Sequence, residues 1–86
     1  MSVASPATTV VVPGPHLMAA LLGERDELLR RIEQAFPQTD IVVRGNQITA
    51  TGSDAEIVGK LFEELSELLQ RGEHVDQTVL GRAIDM

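Results

Sequence analysis

The sequence predicts an α+β domain: a three-stranded sheet covered on one face by helices, with a short extra helix at the C-terminal end. Three observations lead there. Gly45-Asn46 separates two alternating segments, Ile41-Val42-Val43-Arg44 and Gln47-Ile48-Thr49-Ala50-Thr51, in the pattern of a two-residue β-hairpin. Thr8-Thr9-Val10-Val11-Val12 is a further β-branched run, which favours a strand. The stretches between and after these segments carry apolar residues at helical spacing. Each element offers one apolar face, so helices stacked on one side of the sheet are the economical packing.

The elements follow in order. Residues 1–7 are small and polar without periodicity and read as a frayed tail, leaving residues 8–86 as a single domain. The strand over residues 8–12 ends at Pro13-Gly14-Pro15, because proline donates nothing to a ladder and constrains its neighbour. Pro15 suits the first turn of a helix, and His16-Leu17-Met18-Ala19-Ala20-Leu21-Leu22 supplies two apolar turns. Gly23 is expected as the C′ residue in the left-handed conformation. A second helix is expected to begin near Arg25 or Asp26, with Leu28, Leu29, Ile32, Ala35 and Phe36 on one face. Pro37 stops it.

In the hairpin, the two-residue turn pairs Arg44 with Gln47, Val43 with Ile48, Val42 with Thr49 and Ile41 with Ala50. Alternation then puts Ile41, Val43, Ile48 and Ala50 on one face, toward the helices. Val42, Arg44, Gln47, Thr49 and Thr51 share the other face, which can stand in water. Ser53-Asp54-Ala55-Glu56 has the form of a capping box and predicts a helix start. Its stripe of Ile57, Val58, Leu61, Phe62, Leu65, Leu68 and Leu69 runs to a C′ glycine, Gly72. Asp76 is a fair N-cap for a last short helix carrying Val79, Leu80, Ala83 and Ile84. Gly59, inside the long helix, costs about 1 kcal/mol relative to alanine and is expected to admit the hairpin closely.

Composition excludes several functions. With no cysteine there is no disulfide framework and no thiolate metal site. The longest apolar runs are too short to span a bilayer and no signal peptide is visible, so the cytoplasm is the expected location and no membrane partner is expected. Thirteen acidic against seven basic side chains leave a net charge of -6, and the single Lys and the Arg residues do not cluster. No Trp or Tyr is present to stack bases. Charge and composition therefore argue against strong autonomous nucleic-acid binding.

Catalytic and metal patterns are thin. His16 and His74 have no other ligand types at metal-like spacing, and no metal site is expected. No Ser, Thr or Lys60 sits in a nucleophile elbow or beside a histidine. Glu63, Glu64 and Glu67 lie on the polar face of an amphipathic helix, where a solvated surface is the simplest reading. Neither phosphate-cradling glycine motif occurs, so no cofactor is expected in this chain and it is not expected to be an enzyme by itself.

The order strand, helix, helix, strand, strand, helix is that of a type I KH domain, in which a G-x-x-G loop between adjacent helices clamps the nucleic-acid backbone. Here Gly23-Glu24-Arg25-Asp26 stands at that junction, with Asp26 in place of the second glycine. Two readings follow: a degenerate KH loop that still touches RNA through Arg25, or a plain turn whose acidic residues match the dipole of the next helix.

A family resemblance bears on the choice. Leu21-Leu22-Gly23-Glu24-Arg25-Asp26-Glu27 leading to Ile32-Glu33, the hairpin Arg44-Gly45-Asn46-Gln47-Ile48 with Gly52, and Leu65-Ser66-Glu67-Leu68-Leu69-Gln70-Arg71-Gly72 with the closing segment resemble the N-terminal, KH-like domain of PhoH-family ATPases. The resemblance covers residues 8–86. It implies a cytoplasmic bacterial protein linked to phosphate starvation and RNA metabolism, whose main part is a P-loop ATPase. ATP and Mg²⁺ would then be bound in a C-terminal domain absent from this chain, which reads as an excised or truncated N-terminal piece. On that basis the chain is expected to be an accessory domain, with Gly23, Arg25, Arg30 and Arg44 as the nucleic-acid contacts and its own ATPase domain as a partner. The alternative is a protein–protein interaction or homo-oligomerisation module with no nucleic-acid binding of its own.

Overall fold

A computed structural model describes residues 7–85. Its elements are β1 (Ala7–Val11), α1 (Pro15–Leu22), a 3-10 turn (Glu24–Asp26), α2 (Glu27–Ala35), β2 (Asp40–Arg44), β3 (Gln47–Thr51), α3 (Ala55–Gln70) and α4 (Gln77–Ile84). Of the residues read as a tail, Ala7 belongs to β1, where it pairs with Thr51. The rest of that tail lies outside the described residues. The α+β class, the three-stranded sheet with helices on one face and the short closing helix are all present.

The sheet is antiparallel in the order β1-β3-β2. The hairpin register is the one its turn dictates, from Arg44↔Gln47 to Ile41↔Ala50. Gly45 takes φ 57, a conformation glycine adopts without a Cβ penalty at the first central position of a two-residue turn. β1 joins on the far side of β3, Val10 opposite Ile48 and Thr8 opposite Ala50. Beyond its end, the Val12 N–H donates to the Asn46 carbonyl at 2.7 Å and holds the strand against the hairpin turn.

Inner-face residues Val10, Ile48 and Ala50 are buried beneath α3, while Ile41 and Val43 near the β2 edge are half-buried. α3 supplies the spine of the core: Val58, Phe62 and Leu65 are fully buried, with Leu21, Leu28, Ile32 and Leu80 packed into the same cluster. Burying such side chains is worth about 1.5–3 kcal/mol each. No described element covers the outer face. Rows of Thr9, Thr49 and Val42, and of Val11, Gln47 and Arg44, cross it. The Thr9 and Thr49 hydroxyls lie 3.3 Å apart, and Val11 and Val42 are exposed.

Four sequence expectations need correction. Gly23 has positive φ, 82, but ψ of 173, so it extends the chain away from α1 and does not take the left-handed cap. α2 begins at Glu27, because a 3-10 turn intervenes. The capping box does not form: Asp54 is the N-cap of α3, its carbonyl accepting from Val58 at 2.9 Å, and no side chain caps that end. The atoms nearest Gly59 belong to Thr8 of β1 and not, as expected, to the hairpin.

Gly72 behaves as its position implies. With φ 82, its N–H bonds the Leu69 carbonyl at 3.0 Å while the Glu73 N–H bonds Leu68 at 3.0 Å, the paired bonds of a Schellman motif. Asp76 caps α4, its Oδ1 accepting from the Val79 N–H at 3.0 Å. No helix among the described residues is long and apolar enough to cross a membrane.

Candidate functional site

The junction between α1 and α2 is built around Gly23. Its N–H closes α1 on the Ala19 carbonyl at 3.1 Å, and its own carbonyl accepts from Asp26 at 3.2 Å. A Cβ at this position would stand 2.7 Å from Leu28 Cγ and 3.1 Å from the Leu28 nitrogen. Leu28 is buried, so the position requires glycine for space as well as for φ.

Two consecutive non-glycine residues then hold left-handed backbone: Arg25 at φ 54, ψ 31 and Asp26 at φ 59, ψ 27. Each such residue costs roughly 1 kcal/mol, less for Asp than for Arg. The Asp26-to-Gly23 bond and the Glu27 N–H donated to the Glu24 carbonyl hold the turn in place. Asp26 makes no side-chain capping bond, so its carboxylate is left to solvent at the start of α2.

The loop borders two hollows. One is lined by Glu24, Arg25, Glu27 and Arg30, which brings Arg25 and Arg30 together with two carboxylates. The other contains Gly23 itself, with Ala19, Ala20, Leu28, Leu69 and Val75 as its apolar lining. Its polar lining is Glu24, Glu27, Glu73, His74 and Asp76. Arg44 lines neither hollow and sits at the exposed end of β2, on the outer sheet face.

Glu73, His74 and Asp76 come from far along the chain. The Schellman turn at Gly72 reverses the backbone, and Gln77 Nε2 donates to the Glu27 carbonyl at 3.5 Å, tying the start of α4 to α2. No local spacing reveals this, so the sequence gives no sign that the Gly23 hollow has an acidic wall. His74 Nε2 lies 3.9 Å from Asp76 Oδ2, both exposed. The Val79 amide bond draws the Asp76 pKa below its ordinary 3.8, and His74 pulls in the same direction. Among the described residues, no group of three or more His, Cys, Asp or Glu is arranged to hold a metal ion.

Chemically, the first hollow can offer two guanidinium groups to an anion, but with two carboxylates beside them. The second suits a cationic or amphipathic group better than a phosphate. Comparison with family models, with curated proteins and with solved structures gave no match.

Proposed function

We propose that the chain is a non-catalytic, KH-like accessory domain of a PhoH-type ATP-binding protein of the bacterial cytoplasm, meeting RNA through the loop at residues 23–26. The observation that carries this reading is Asp26. It stands where a G-x-x-G loop has its second glycine, and it holds φ 59, a conformation that glycine adopts freely. A glycine at this position would take the same backbone without strain, which supports reading the loop as a changed G-x-x-G. The element order and the sheet order β1-β3-β2 support the same reading. Gly23 would allow close backbone approach, with Arg25 and Arg30 contacting phosphates from their shared hollow and Arg44 adding charge at the hairpin end. ATP and Mg²⁺ belong to a separate P-loop domain, and this domain's share is to guide or position RNA.

The acidic lining favours a second reading. Glu24, Glu27, Glu73 and Asp76 beside the apolar lining fit a basic, partly apolar protein segment, which makes the domain a protein-interaction module with no nucleic-acid binding of its own.

A titration of labelled single-stranded RNA at two salt concentrations, with Arg25→Glu beside the natural chain, separates them. Salt-sensitive binding that Arg25→Glu abolishes supports the RNA reading. Absence of binding at low salt overturns it and leaves the interaction module.

A further inference from the structure

β2 is an edge strand, and its open side is ready to pair. In a two-residue hairpin the residues flanking the turn form a hydrogen-bonded pair, and such pairs alternate along the ladder. Arg44↔Gln47, Val42↔Thr49 and Asp40↔Thr51 are therefore the hydrogen-bonded pairs with β3. The N–H and C=O groups of Ile41 and Val43 consequently point away from β3, toward the free edge. Edge strands are commonly blunted by proline, a bulge or an inward charge. β2 has none of these: its inward side chains are Ile41 and Val43, both apolar and half-buried.

The strand is also complementary to itself. Read along β2 the residues are Asp40, Ile41, Val42, Val43 and Arg44, acid at one end, base at the other and apolar between. Turned antiparallel about Val42, a second copy places its Arg44 opposite Asp40, its Val43 opposite Ile41 and its Val42 opposite Val42. Every pair keeps its face: the charged residues and Val42 lie on the outer side of the sheet, and Ile41 and Val43 on the helix side. The hydrogen-bonding phase agrees as well, since Ile41 and Val43 are the residues whose backbone groups face outward and would exchange both bonds. Neither Asp40 nor Arg44 makes an ion pair among the described residues. β1, the other edge, carries no charge that could fix a register.

We propose that two copies of this chain join through β2, antiparallel about Val42, into a continuous sheet in which Asp40 of each copy pairs with Arg44 of the other. The contact leaves the loop at residues 23–26 untouched; it shares only Arg44 with the RNA reading, so sedimentation in the absence of RNA reads it separately. Two short strands bury little area, which places the association at the weak end of specific interfaces, seen at high protein concentration.

Sedimentation equilibrium of the 86-residue chain from micromolar to millimolar concentration is the test, with circular dichroism to verify that each variant is folded. The expected result is a reversible monomer–dimer equilibrium. Asp40→Arg and Arg44→Asp, each of which turns both cross-strand pairs into like charges, should weaken it roughly tenfold. The double exchange, Asp40→Arg with Arg44→Asp, should restore it. A chain that stays monomeric throughout, a dimer indifferent to both single substitutions, or a double exchange as weak as the singles would each overturn the proposal.

Discussion

Gly59 of α3 lies against the side chain of Thr8 on β1, so closely that a Cβ built on the glycine would overlap Thr8 Cγ2 and come within 3.1 Å of Thr8 Cβ. Both residues sit where the longest helix crosses the edge of the sheet, and α3 packs along β1 and β3. An interior helical glycine normally weakens its helix. Here that weakness is what lets helix and strand close on one another.

Gly59→Ala should therefore destabilise the fold even though alanine is the better helix former. The propensity gain is about 1 kcal/mol, against overpacking of up to about 3 kcal/mol, for a net loss of about 2 kcal/mol. Urea unfolding measures it. Adding Thr8→Ala should recover at least half of the loss, because the two changes share one contact. A Gly59→Ala chain more stable than the parent would show that the strand shifts freely away from the helix.

Thr39 should respond in the opposite direction. It is buried at 6% exposure, and its Oγ1 has no hydrogen-bond partner among the described residues. Thr39→Val replaces a stranded hydroxyl by a methyl group of similar shape, and stability should rise by about 1 kcal/mol in thermal or urea unfolding.

The loop allows strain and charge to be separated. Arg25→Gly relieves the φ 54 conformation and should stabilise the fold by roughly 1 kcal/mol, despite the greater freedom glycine gives the unfolded chain. The same substitution removes a positive group from the hollow shared with Arg30 and should weaken any RNA binding. Asp26→Gly should stabilise less, since Asp tolerates the left-handed region better, and should strengthen RNA binding by removing a carboxylate. Unfolding curves and RNA titrations on the two variants read these effects independently.

Asp76 makes α4 pH-dependent. Its carboxylate accepts from Val79, and the folded-state pKa lies below 3.8. A depressed acid pKa means the cap contributes fully above the ordinary value and is lost as pH falls through the folded one. Amide exchange at Val79 should therefore be slow at neutral pH and accelerate below 3.8, relative to the pH trend of an exposed amide. Asp76→Asn should keep a cap without this dependence, and Asp76→Ala should expose the amide at every pH.

How much of this was legible in the sequence depended on the range of the interaction. The hairpin register from Arg44↔Gln47 to Ile41↔Ala50 follows from a two-residue turn, because one turn type fixes every pair behind it. Gly72 and Asp76 act at helix ends through bonds within a few residues, so both were readable. The partner of β1 was not, because Val10↔Ile48 is set by the tertiary core and by no local rule. For the same reason the neighbour of Gly59 was misjudged. Ser53 failed as a cap because Asp54, the next residue, turned the chain into the helix instead. At the site, Gly23 announced itself as a glycine, but nothing in an arginine signals positive φ, and the approach of Glu73 and Asp76 to Gly23 spans the whole middle of the chain.

The strand order β1-β3-β2 also has a meaning in time. During synthesis the N-terminal strand emerges first, but the strand it must pair with, Gln47–Thr51, is the last of the three to appear. Its closing contact spans about half of the chain and bears the corresponding loop-closure cost. On a translating ribosome, α1, α2 and the hairpin can form in succession while residues 7–11 wait unpaired. The sheet is completed only by an early segment returning to a late one.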